Sequence, residues 1–124
     1  MNTYGLTVVA SLLWAATTWA DCTKTTSDYD VVYCGTKLYL QADKELNDSY
    51  QKLAGKLNSD GKQRLKAGQL AWIETRNRQC TETRGESILV DLDCATRTTV
   101  ERTQFLTDRQ RECLSTGCVN SKLR

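Results

Sequence analysis

The stretch "LKAGQLAWIETRNRQC", Leu65 to Cys80, spaces Trp72, Arg76 and Cys80 four residues apart. On a helix those positions share one stripe, because residues four apart lie one above the other. The stripe therefore carries an indole, a guanidinium and a sulfur. Two readings compete. In one, Trp72 and Arg76 form a ligand platform. In the other, Trp72 is a core side chain and Arg76 a half-buried strut. Large aromatics dominate small cores, which favours the second. A strut of this kind needs a carboxylate or carbonyl partner. Asp43 is the expected partner for Arg76, with Arg102 as the alternative recipient, and Asn47 is expected as a boundary amide tying two helices together.

Working outward, the apolar residues recur at helical spacing in three places. Tyr39, Ala42, Leu46, Tyr50, Leu53 and Leu57 predict a first helix over about 36–58. A shorter helical segment is expected before it, from Ser27, with Ser27 and Asp30 as a capping box and Gly35 as the break. "NSDG" at 58–61 is a turn signal, after which Ser59 or Asp60 caps a second helix to about Gln79. A third helix is expected over about 93–114, with Ala95, Thr98, Arg102, Phe105, Leu106 and Arg109 along one side. Between helices two and three, "TETRGESILVDLD" at 81–93 loses the helical period and reads as a loop with a brief extended piece at Ile88 to Leu92. The residues after Gly117 and Cys118 are expected to fray. The fold class is thus all-α: a small antiparallel bundle of three main helices, each burying a stripe against the other two.

The first twenty residues carry no charged side chain, and Leu6 to Ala16 is an apolar run of signal-peptide length. Thr18 and Ala20 suit a cleavage site, so 1–20 reads as a secretory signal and 21–124 as a single domain. No lipid anchor is expected, because Asp21 stands directly before Cys22. All six cysteines follow the signal, which in an exported chain points to a disulfide framework. Six cysteines admit many pairings. Short separations favour Cys22–Cys34, Cys80–Cys94 and Cys113–Cys118. The second of these would turn 81–93 into a closed loop.

The chain has no histidine, which excludes Ser-His and Cys-His nucleophile pairs. A zinc site would need thiolates that an oxidising compartment converts to disulfides. No Gly-rich phosphate loop is present. A net charge of +2, with acids interspersed among the bases, argues against nucleic acid. Paired carboxylates such as Asp91 with Asp93, or Asp43 with Asp48, would need a cleft to work across, and a filled three-helix core offers little. Glu82, Glu86, Asp91 and Asp93 supply oxygens for calcium, but their spacing matches no EF-hand. No catalytic residue, metal or cofactor is expected, and the chain does not read as an enzyme.

Four motifs in order carry a family resemblance. "ADKELNDSY" at 42–50, with Asp43, Leu46, Asn47 and Tyr50, resembles an Ala-Asp-x-x-Leu-Asn-x-x-Tyr pattern. "LAWIETRNRQC" at 70–80, with Trp72 and Arg76, resembles Ala-Trp-(Ile/Leu)-x-x-Arg-x-x-x-Cys. "CATRTTVER" at 94–102, with Thr98 and Arg102, resembles the family's closing helix, and the Cys22/Cys34 spacing is similar too. Together these resemble the secreted bacterial proteins named after the lysozyme inhibitor LprI, over about Cys22 to Leu106. Cys113 and Cys118 depart from that pattern, and the loop is unusually acidic.

The resemblance implies a periplasmic or secreted helical domain with a protein partner, possessing no membrane span after processing and blocking the cleft of a lysozyme-like muramidase. The alternative is a periplasmic structural or adaptor domain that binds another envelope protein. The expected binding residues are Glu82, Gly85, Glu86, Ser87, Asp91 and Asp93. Four acids against the single Arg84 concentrate negative charge there, Gly85 permits close backbone approach, and Ser87 offers a neutral hydroxyl.

Overall fold

The computed structural model describes residues 22–124; the expected signal segment lies outside them. Three helices carry the fold: α1 (Asp28–Ala54), α2 (Ser59–Gln79) and α3 (Leu92–Ser115). Between α2 and α3 stand two short strands, β1 (Thr81–Arg84) and β2 (Ser87–Val90), and a 3-10 turn at Asn120–Lys122 follows α3. The three disulfides pair Cys22 with Cys34, Cys80 with Cys94, and Cys113 with Cys118.

α1 begins where Ser27, in extended conformation, accepts the Asp30 N–H. Asp30 Oδ2 in turn accepts the Ser27 hydroxyl at 2.9 Å and the Thr26 N–H at 3.3 Å. The Ser27 and Thr26 bonds hold the Asp30 carboxyl below its ordinary pKa. The helix then runs through Gly35 without the expected break. A Cβ at Gly35 would sit 3.4 Å from Leu92 Cδ1, so this glycine marks the close approach of α3 rather than a stop. α2 is capped by Asn58, not by Ser59 or Asp60: Asn58 Oδ1 accepts the Gly61 N–H at 2.8 Å. Asp60 is occupied by Arg64 instead. α3 starts from Asp91, whose side chain accepts the Cys94 N–H at 2.9 Å.

The helices run up, down and up. Leu92 lies against Gly35 near the start of α1 and α3, and Gln110 Nε2 donates to the Ser49 carbonyl further along both. α1 and α3 are therefore parallel. Small residues at Gly35, Ala42, Ala95 and Thr99 let them pack closely. α2 runs against both, with Arg76 near Tyr39 at one end and Gln69 bonded to Arg102 in the middle. Its burial is uneven. Only Gly61, Leu65 and Gly68 are fully buried, all in its first half, so α2 does not share a full stripe with each neighbour as expected. The main core is correspondingly confined to that end: Leu46, Leu53, Leu57, Leu65, Leu106 and Leu123, with Tyr50, Trp72 and Phe105 packed against it.

Two further differences concern the ends of helix three. Ala95, Thr99, Arg102 and Leu106 face inward, so the buried threonine is Thr99, while Thr98 is half-buried beside Cys80 Sγ. The chain after Gly117 does not fray. Leu123 is 1% exposed within the core, seated over Gly68, where a Cβ would meet the Leu123 carbonyl at 2.7 Å. Asn120 Nδ2 donates to Asn58 Oδ1 and Asp60 Oδ2, and Lys122 pairs with Glu112.

That docking is expected to loosen in acid. The bond from Arg64 and the bond from Asn120 hold the Asp60 carboxyl below its ordinary pKa. The Lys122 bond does the same first for Glu112, helped by Arg109. A carboxyl with a depressed folded pKa stabilises above its unfolded value, and that contribution is lost as pH falls through the folded value. Below about pH 4 the Lys122 and Leu123 amides should therefore exchange faster relative to those of α3. Hydrogen exchange across a pH series measures this. Constant relative protection down to about pH 2 would show that burial of Leu123 alone holds the tail.

Candidate functional site

The segment expected as a loop with a brief extended piece at Ile88 to Leu92 is a β-hairpin, and its second strand, Ser87–Val90, overlaps that piece. Thr81 pairs with Val90, Glu82 with Leu89, Thr83 with Ile88 and Arg84 with Ser87, antiparallel. The turn is Gly85-Glu86, and Gly85 has φ +61°, while no non-glycine residue among the described residues has positive φ. A glycine at the first position of a two-residue turn matches the twist of the flanking strands. The base is closed twice, by the Cys80–Cys94 disulfide and by the Asp91 N–H donating to the Cys80 carbonyl at 2.9 Å. No core stands behind the strands: every residue from Glu82 to Asp91 is exposed.

Directly opposed residues share a face of the ribbon. One face holds Thr81, Thr83, Ile88 and Val90; the other holds Glu82, Arg84, Ser87 and Leu89. Ile88 is 70% exposed and Val90 59%, so that face of the ribbon carries two adjacent exposed aliphatic side chains. Sequence reasoning selected the acids of this segment and passed over its apolar residues. The alternation of β-branched residues on either side of Gly85 was the available signal.

The acids divide by role. Asp91 caps α3. Glu82 accepts both Arg84 Nε and Nη2, at 3.0 and 3.1 Å, and Asp93 pairs with Arg97. Glu86, at the turn, makes no hydrogen bond or ion pair among the described residues. The negative field expected of four acids is thus reduced by two adjacent guanidiniums and centres on Glu86 and Asp91.

The stripe of Trp72, Arg76 and Cys80 lies beside the hairpin base. The Arg76 guanidinium sits 5.1 Å from the Trp72 ring centroid and 5.8 Å from that of Tyr39, and donates from Nε and Nη2 to Asn77 Oδ1. Cation–π contacts take the place of the expected carboxylate. Asp43 pairs with neither Arg76 nor Arg102. It accepts the Asn47 amide, one turn along the same helix, at 3.1 Å. Asn47 is exposed and bonds within α1 rather than tying two helices together. Leu46 is in the core and Tyr50 packs against it. Trp72 is half-buried at the core's edge, not its largest interior side chain. Tyr39, Arg76, Asn77, Thr81, Val90 and Ala95 surround a cavity of about 330 Å³ under the hairpin. Among the described residues no three metal-ligating side chains converge, and no helix is long and apolar enough to cross a membrane.

The family described as lysozyme inhibitor LprI matches residues 20–106. The chain belongs to the LprI family. The match takes in the hairpin, the Trp72–Arg76–Cys80 stripe and two of the three disulfides, and stops short of Cys113–Cys118 and the docked tail. LprI is described as an inhibitor and not as a catalyst. Comparison with curated proteins and with solved structures found no match.

Proposed function

We propose that this protein is an exported inhibitor that blocks the cleft of a lysozyme-like muramidase with its β1–β2 hairpin. The family match, which spans the hairpin, carries this reading. Supporting it are the disulfide-closed base and the exposed Ile88, Leu89 and Val90. A preformed hairpin loses less freedom on binding than an open loop, and apolar residues beside a glycine turn suit insertion into a cleft. The family and the disulfides, which form in oxidising compartments, support export. Glu86 and Asp91 steer the encounter with a basic partner, and Gly85 and Ser87 enter at the tip.

The primary test is lysis of cell walls by lysozymes of several types with the protein in stoichiometric excess. Slowed lysis is expected, and undiminished lysis by every type counts against inhibition. The steering role has its own test. Replacing Glu82, Glu86, Asp91 and Asp93 by their amides keeps the α3 cap, because asparagine also caps helices. Association should slow, with a shallower dependence on salt. An on-rate and salt slope both equal to the parent's would remove the acids from recognition.

A second reading, an adaptor for another envelope protein, is favoured by the outer face of α1. Tyr29, Val32, Tyr33 and Leu40 are exposed there, apart from the hairpin tip. Recovery from envelope extracts of a non-lysozyme partner, lost on Tyr33→Glu and kept in the amide variant, would support it.

A further inference from the structure

Arg102 is the one charged side chain of the described residues that is fully buried, at 7% exposure. Its Nε donates to Gln69 Oε1 at 3.0 Å, and the guanidinium stacks on Phe105 at 4.5 Å. Neither partner is a carboxylate, and Nη2 is enclosed without any hydrogen-bond partner. Burial holds this guanidinium below its ordinary pKa. A buried cation without a counter-ion is costly, so the surroundings favour an anion.

Arg102 also lines a cleft of about 620 Å³ along α2, within the range of small-molecule sites. Ala67, Gly68, Ala71 and Trp72 give it an apolar wall, and Arg124 of the docked tail lines it too. Arg64, at the rim, is already paired with Asp60 at 2.9 Å. Arg102 and Arg124 are the lining cations without a carboxylate partner among the described residues, only Arg102 is buried, and the Trp72 indole lines the same cleft.

We propose that this cleft binds a small carboxylate carrying a ring, the carboxylate answering Arg102 and the ring lying on the Trp72 wall. With Nε bonded to Gln69 and Nη2 enclosed, the carboxylate meets Arg102 through Nη1 and its charge rather than through a two-point fork, and the Asp60 carboxylate at the rim disfavours a doubly charged anion. The site is separate from the hairpin and does not depend on inhibition.

Calorimetric titration of the full chain with benzoate, benzyl alcohol and inorganic phosphate tests it. Benzoate should bind saturably at about 1 mM or tighter, and the other two at least about tenfold more weakly. Arg102→Gln should weaken benzoate binding by about tenfold or more. Ala71→Trp, at an exposed position of the lining, fills the cleft while keeping the Arg102 side chain and should also abolish binding. Circular dichroism melts verify that both variants fold. Absence of saturable benzoate binding overturns the proposal. Benzyl alcohol binding as well as benzoate removes the charge requirement, and phosphate binding as well as benzoate removes the ring requirement; either result also overturns it. If Arg102→Gln does not fold, Ala71→Trp decides alone, and parent-like benzoate binding in it refutes the site.

Discussion

Replacing Cys80 and Cys94 together by serine should lower stability by about 3 kcal/mol and weaken lysozyme binding beyond what that loss explains. The bond spans a sequence separation of 14, a short loop whose closure restricts the unfolded chain. Cys80 is 3% exposed, so serine there also buries a hydroxyl. The functional effect comes from the hairpin above the bond. A lone two-stranded ribbon is marginal in water, and this one has only the Asp91-to-Cys80 backbone bond and the disulfide to hold its base. Without the disulfide the strands must be ordered at the moment of binding. Denaturant titration gives the first number, and association and dissociation rates with lysozyme give the second. The Cys22/Cys34 pair, which ties the segment before α1 to its first turns, is the control: its removal should leave hairpin binding unchanged. Parent-like affinity in the Cys80/Cys94 variant would mean that the hairpin is ordered without the bond or is not the recognition element.

Much of the helical frame is legible in the sequence because its signals are local. The period of Leu46, Tyr50, Leu53 and Leu57, the turn at 58–61 and the stop at Gln79 each depend on nearby residues alone. The disulfide pairs follow from short separations for the same reason. What sequence reasoning missed depends on distant contacts. Gly35 reads as a break until Leu92 is known to lie against it. Arg76 reads as a cation in want of a carboxylate until Tyr39 is placed opposite Trp72. Asp43, which looked available, is satisfied one turn away by Asn47. The hairpin was obscured because "TETR" is polar throughout, so β1 is marked only by the β-branched Thr81 and Thr83 and by no apolar alternation. The docked tail buries one leucine, beside the bonds of Asn120 and Lys122, and periodicity says nothing about a single residue. Its signal was Gly68, a glycine inside a helix with no turn to make. In the candidate site, the acids were legible as charge but not as caps and ion pairs, and those roles decide how much field remains.

Leu65→Ala is expected to cost about 2–5 kcal/mol, more than Trp72→Ala, although tryptophan is much the larger side chain. Leu65 is 0% exposed and belongs to the core cluster with Leu53, Leu57, Leu106 and Leu123. It is the only large side chain of α2 that is fully buried, since the other two buried positions are glycines. Removing it leaves a cavity where α2 is held, and the second half of the helix has no equivalent anchor: Leu70 there is 57% exposed. Trp72 is half-buried, with one side on the core and the other lining the α2 cleft. Burial energy follows the area removed from water, so truncating a half-exposed ring should cost about 1–3 kcal/mol, not the 3–5 expected of a core tryptophan. Arg76 keeps Tyr39 when Trp72 is lost, and an exposed cation–π contact is worth about 0.5–1 kcal/mol. Urea titrations of the two variants, with a common slope, rank them directly. If Trp72→Ala proves the more destabilising, α2 is anchored through its second half and the ring belongs to the core after all.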